Sequence, residues 1–193
     1  MDILSKINWV DIVIVTILIR LCYVALQDGL SHEIFPLIGT MLTAAISLQY
    51  YHDLASFVKN LLNIPISILD AVVFLILVVG VGLLFKLAKA LIDLLMKVTW
   101  HPFLEGFGGA IFGFLRGSII VSLLLIFLAL TPFSYMQHSI GDRSLTGIFF
   151  LKIAPAIHAR LAWMLPTISI GDKAGSVESL LKAIVSDKSV KNN

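Results

Sequence analysis

Apolar side chains fall along this chain in four long blocks, at about 9–26, 34–50, 66–85 and 107–130. A helix rising 1.5 Å per residue needs about 20 residues to cross about 30 Å of hydrocarbon, so the four blocks predict an all-α polytopic membrane protein with four transmembrane helices. The first connection, Gln27-Asp28-Gly29, is tight and predicts an antiparallel hairpin of the first two helices. The second passes through Tyr50-Tyr51-His52-Asp53, where tyrosines suit a water interface. Asn63-Ile64-Pro65 then opens the third helix, with proline near the first turn, where its missing N–H costs nothing.

Two stretches break the simple pattern. Lys86, Lys89, Asp93 and Lys97 interrupt an apolar continuation of the third block at spacings that place them on one helical face. One helix over 66–98 would be roughly 50 Å long, more than the hydrocarbon accommodates upright. We therefore expect a bend near Gly80, Gly82 or Phe85 and an interfacial amphipathic helix over about 86–100, ended by Trp100-His101-Pro102. A single long tilted helix is the alternative. Beyond Thr131-Pro132, the stretch 145–165 is apolar but carries Lys152, Pro155, His158 and Arg160. A central Lys or Arg costs about 2.5–3.5 kcal/mol to insert, which favours an interfacial helix over a fifth span. The expected organisation is a transmembrane domain over 1–135, an interfacial amphipathic segment over 136–170 and a polar tail over 171–193, with a short amphipathic helix behind Ser176.

Composition strengthens this picture. The chain is 59% hydrophobic and only 13% charged, against roughly 45–50% and about 25% in soluble domains. Its 193 residues leave no room for a large separate soluble domain. The net charge of +2 is scattered, without the basic cluster that nucleic acid requires. The lone Cys22 excludes an intramolecular disulfide and a CxxC site. Asp2 and Lys6 make a poor basic start for a secretory signal, so the first block reads as a retained helix.

Charges inside the blocks are the first candidate functional groups, because intramembrane ionisable residues usually face a bundle interior or a water-filled cavity. Four spans put Arg20, Glu33, Glu105 and Arg116 toward one side and Asp11 and Asp70 toward the other. The expectation is a polar cluster in which Arg20 or Arg116 pairs with Glu33 or Glu105; the plainer reading is charges near the interface. Asp11 and Asp70 suit the positive ends of their helix dipoles, with a paired proton or cation site as the alternative.

Gly109, Gly113 and Gly117 recur at intervals of four in the fourth block, which clears one helix stripe for close packing. Gly39, Thr43 and Ser47 form a similar stripe on the second helix, so packing of these two stripes is the leading expectation. An oligomer contact or a pore lining is the alternative. Catalytic patterns are missing: there is no G-x-S-x-G, H-E-x-x-H or G-x-G-D, and the five histidines lack ligand-like spacing. We expect no catalytic residue, no cofactor, no bound metal and no enzyme activity.

The opening Asn8-Trp9-Val10-Asp11, then Gly29 and Glu33, and the block from Leu104 through Gly109, Gly113 and Arg116 to Gly117 together resemble the colicin V production protein family. Ser144 and Ala154-Pro155 fit the same pattern, and the likeness spans roughly residues 7–165. The chain departs from it at Gln27-Asp28, where a basic pair is usual, and at Glu105-Gly106, where Asp-Arg is common. The resemblance implies a bacterial inner-membrane protein needed to produce or export that toxin, with wider envelope roles and no established enzyme activity or cofactor. Two readings follow: an accessory protein acting through a homo-oligomer or other membrane proteins, or a small oligomeric channel or transporter built on the fourth-helix glycines. Nine of the 14 Lys and Arg fall on the side of the N-terminus and tail, which favours cytoplasmic termini, although near the spans Lys6, Lys59 and Arg143 only balance Lys86, Lys89 and Lys97.

Overall fold

The computed structural model describes residues 9–59, 66–95, 102–131 and 146–164. Four long helices carry the fold: α1 (Trp9–Asp28), α2 (Leu30–Lys59), α3 (Ile66–Leu95) and α4 (Pro102–Leu130). Two short helices follow, α5 (Gly147–Leu151) and α6 (Ile153–Met164). Each of the four long helices contains a stretch long and apolar enough to cross a membrane, so the chain is an all-α polytopic protein.

Gly29 alone separates α1 from α2. Its φ of 82° is the left-handed conformation that closes a helix, and its N–H donates to the Ala25 carbonyl at 3.0 Å. Although they form a hairpin, α1 and α2 touch little. α1 packs mainly on α4, α4 on α2, and α2 on α3, so the helices stand in the spatial order α1, α4, α2, α3. α4 is thus the most enclosed of the four, with half of its most apolar stretch buried.

The shared core joins Val10 and Ile14 of α1, Leu37, Ala44, Leu48 and Tyr51 of α2, Phe74 of α3, and Ile119, Val121, Leu125 and Ile126 of α4. Phe150 and Leu151 of α5 and Ala154 of α6 complete it. Large apolar residues such as Ile19, Ile76, Leu84 and Phe107 face outward, as expected where the surrounding solvent is hydrocarbon.

Three expectations about the elements change. α2 does not end at Tyr50-Tyr51-His52-Asp53 but continues to Lys59. Tyr51 is buried, edge-on to Phe74 with ring centroids 5.8 Å apart, rather than placed at an interface. α3 is one continuous helix of 30 residues, without the separate helix expected from about residue 86. Neither Gly80 nor Gly82 is pressed by a neighbour, and a glycine costs a helix interior only about 1 kcal/mol, too little to break an apolar helix by itself. The long single helix given as the alternative is the form observed through Leu95. The end of the expected interfacial helix at Trp100 lies outside the described residues, as does the polar tail.

Apolar helices leave few polar groups to satisfy. Hydroxyls of Thr16, Thr40, Thr43, Ser118 and Thr131 each donate to the carbonyl four residues earlier, at 2.7–2.9 Å. Such back-bonding lets a hydroxyl sit in a membrane helix without a partner on another helix.

Candidate functional site

Three polar junctions tie the bundle together, one toward the side where α2 begins and two toward the side where α1 begins. At the first, Arg116 Nη1 of α4 donates to Glu33 Oε1 of α2 at 2.8 Å. Glu33 lies in the first turn of α2, whereas Arg116 is midway along α4. Side chains lean toward the N-terminus of their helix, so Arg116 reaches back along α4 to a carboxylate nearer the membrane surface. The Glu33 side chain is 3% exposed and that of Arg116 28%, and the Arg116 Nε has no hydrogen-bond partner among the described residues.

Of the four residues expected to supply a polar cluster, the structure brings together Arg116 and Glu33. Arg20 is not part of it: that residue points outward from α1 and makes no ion pair with a described residue. The backbone of Glu105 belongs to α4, but its side chain lies outside the described residues.

On the opposite side Asp11, buried in the first turn of α1, accepts from Thr146, whose N–H and hydroxyl donate to Oδ1 at 3.2 and 2.7 Å. Asp11 therefore does more than favour its own helix dipole: it fixes the start of α5 against α1. Ser122 of α4 completes the attachment. Its Oγ accepts from the Ala154 N–H at 2.9 Å and donates to the Leu151 carbonyl at 3.4 Å, holding the junction of α5 and α6. The second junction on this side joins His52 Nδ1 of α2 to Asp70 Oδ1 of α3 at 3.3 Å. Asp11 and Asp70 are thus engaged with different partners rather than forming one paired site.

Sequence reasoning missed Thr146, Ser122 and the pairing of His52. A buried serine on an apolar helix carries no signal of a contact 32 residues away, and Thr146 follows a stretch with no periodicity.

The glycine stripe meets a different helix from the one expected. A Cβ on Gly109 would overlap the Ala25 carbonyl oxygen, and one on Gly113 would overlap the Ala25 Cβ. A Cβ on Gly117 would lie 3.1 Å from Leu18 Cδ2. The stripe therefore seats α1, including the turn at Gly29, and the small α1 residue that completes it is Ala25. Gly39 lies instead against Phe85 of α3, where a Cβ would fall 3.0 Å from the phenylalanine Cβ. Thr43 and Ser47 are buried in the same helix, and the Ser47 hydroxyl has no partner among the described residues. Trp9 begins α1 at the surface, and Asn8 and Ser144 lie outside the described residues.

Among the described residues no three His, Cys, Asp or Glu side chains come together as a metal ion would require. The buried His158 of α6 is held below its ordinary pKa by loss of hydration.

These features define a class: a multi-pass helical membrane protein in which a glycine-faced fourth helix is clasped by the first, with a helical pair docked on the side where the chain enters. The family model described as Colicin V production protein matches residues 10–155, and the chain belongs to that family. The match takes in all four long helices, α5 and the first residues of α6, so both Asp11 and its partner Thr146 lie within it. No curated protein and no solved structure matches the chain.

Proposed function

We propose that this chain is a bacterial inner-membrane accessory protein, with both termini in the cytoplasm, that supports colicin V production or export and envelope function through other membrane proteins. It acts without catalysing a reaction and without a cofactor. The observation that carries this reading is the pair of Glu33 and Arg116. A conduit presents its charged groups to a water-filled path, whereas here the carboxylate and guanidinium are spent joining α2 to α4. The interior alongside them is filled with Leu, Ile, Val and Phe. The glycine stripe, on which a channel reading rests, is already occupied by α1.

Two measurements test the proposal together. In a colicin V producing strain lacking the chain, restoring it should restore toxin in the medium. The purified protein in lipid vesicles should pass neither ions nor small solutes. Flux through the wild-type protein that disappears with Arg116→Gln would replace the accessory reading with a small oligomeric channel or transporter.

A further inference from the structure

A polar stripe runs along the outward face of α1, between exposed apolar residues such as Ile12, Ile19 and Leu26, where a lipid-facing surface should carry none. Thr16, Arg20, Tyr23 and Gln27 are all exposed, and their spacings of four, three and four put them on one stripe. At 100° per residue that stripe lies opposite Ile14, Leu18, Leu21 and Ala25, the side chains that α1 turns toward the bundle. Thr16 is satisfied by the Ile12 carbonyl at 2.7 Å. Arg20 has no such recourse, and no described side chain pairs with it.

Lipid headgroups are a poor match for this guanidinium. The 20 residues of α1 are just long enough to cross the hydrocarbon, at about 30 Å. Arg20 stands eight positions before Asp28, about 12 Å along the axis. That is beyond the reach of one arginine side chain whose Cα–Cβ bond leans toward the far end. A second copy of the chain is no better. The described carboxylates nearest the middle of its spans are engaged, Asp11 by Thr146, Glu33 by Arg116 and Asp70 by His52, and the exposed Asp28 of a second copy inserted the same way would sit at the end of α1, about 12 Å along the axis from Arg20.

We propose that the outer face of α1 docks a transmembrane helix of another membrane protein, and that Arg20 pairs there with an aspartate or glutamate which that helix carries near mid-membrane. Thr16, Tyr23 and Gln27 flank the pair as hydrogen-bonding contacts along the same seam, the arrangement by which polar side chains join membrane helices. This rests on the accessory reading above and names its surface and the chemistry of its partner.

The test is photocrosslinking in intact cells of the toxin-producing strain, with p-benzoyl-phenylalanine at Tyr23, or at Leu84 on the outer face of α3 for comparison. The expected result is an adduct from Tyr23 to a different membrane protein and none from Leu84. Arg20→Leu should lower the adduct about tenfold, as a loss of about 1.4 kcal/mol would, and Arg20→Lys should retain much of it. Leucine suits the exposed face of a membrane helix, so folding is not at issue. With the partner identified by mass spectrometry, replacing its carboxylate by arginine and Arg20 by glutamate should restore the adduct. Adducts only to a second copy or only to lipid, or an adduct indifferent to Arg20→Leu, would overturn the proposal. Toxin release on deleting and restoring the chain is scored separately, so a docking failure with that phenotype intact sinks this surface and leaves the accessory reading standing.

Discussion

Glu33 is nearly enclosed and Arg116 partly open, so the two single substitutions of this pair are not equivalent. Arg116→Leu strands a buried carboxylate and should cost about 3 kcal/mol, the scale seen when one partner of a buried ion pair is removed. Glu33→Leu leaves a longer side chain that can seek water, and should cost less. The double variant should lie closer to wild type than Arg116→Leu alone, which unfolding in detergent micelles would measure as a coupling energy. Additive losses would mean that the pair does not hold the helices together.

His158 gives the molecule a pH dependence of definite sign. Its pKa is lowered from the ordinary value of 6.5 by burial, so the unfolded chain takes up the proton more readily than the folded one. Above about pH 6.5 both forms are neutral and the effect vanishes. As pH falls below that value stability is lost, and the loss is complete below the folded-state pKa. Docking of α6 should therefore loosen as pH falls below about 6.5, seen as faster amide exchange in α6 after correction for the intrinsic rate. His158→Phe should flatten that dependence.

At the scale of elements, the decisive contact is α1 on α4. Gly109→Leu and Gly113→Leu force backbone apart, because the atoms in the way are the Ala25 carbonyl and the Ala25 Cβ. Each should cost about 1–3 kcal/mol, the range for overpacking. Gly117→Ala presses only on the flexible end of Leu18 and otherwise makes ordinary contact with Leu21, so it should be tolerated; thermal midpoints in one detergent would rank the three. The pair α5–α6 depends on two side chains from other helices, Asp11 and Ser122. Asp11→Ala should therefore speed proteolysis between α4 and α5 while leaving the α1–α4 contact intact.

The existence of the long helices was legible from hydrophobic runs alone, and so was the candidacy of Arg116, Glu33 and the glycines. Their pairing was less so. A small-residue stripe announces that some helix approaches closely, but which one depends on bundle order, and nothing in Gly39, Thr43 and Ser47 distinguished them from Leu21 and Ala25 as the surface that would meet it. The length of α3 was misjudged for a related reason: a lysine face reads as interfacial, yet a helix whose backbone bonds are all internal continues until something stops it.

For the whole molecule, the contact of Thr146 with Asp11 places the start of α5 beside the start of α1, as an even number of spans requires. The same bundle order leaves the polar face of α1 outward, where a partner can reach it. Cysteine accessibility in intact cells tests this topology most directly, using Cys22→Ser as background and single cysteines at Asp28, Lys59 and Ser144. The account predicts that Asp28 is labelled from outside, and that Lys59 and Ser144 are labelled only after the inner membrane is permeabilised. Labelling Asp28 and Ser144 from the same side would contradict the four-span bundle, and with it the assignment of every polar junction to a side of the membrane.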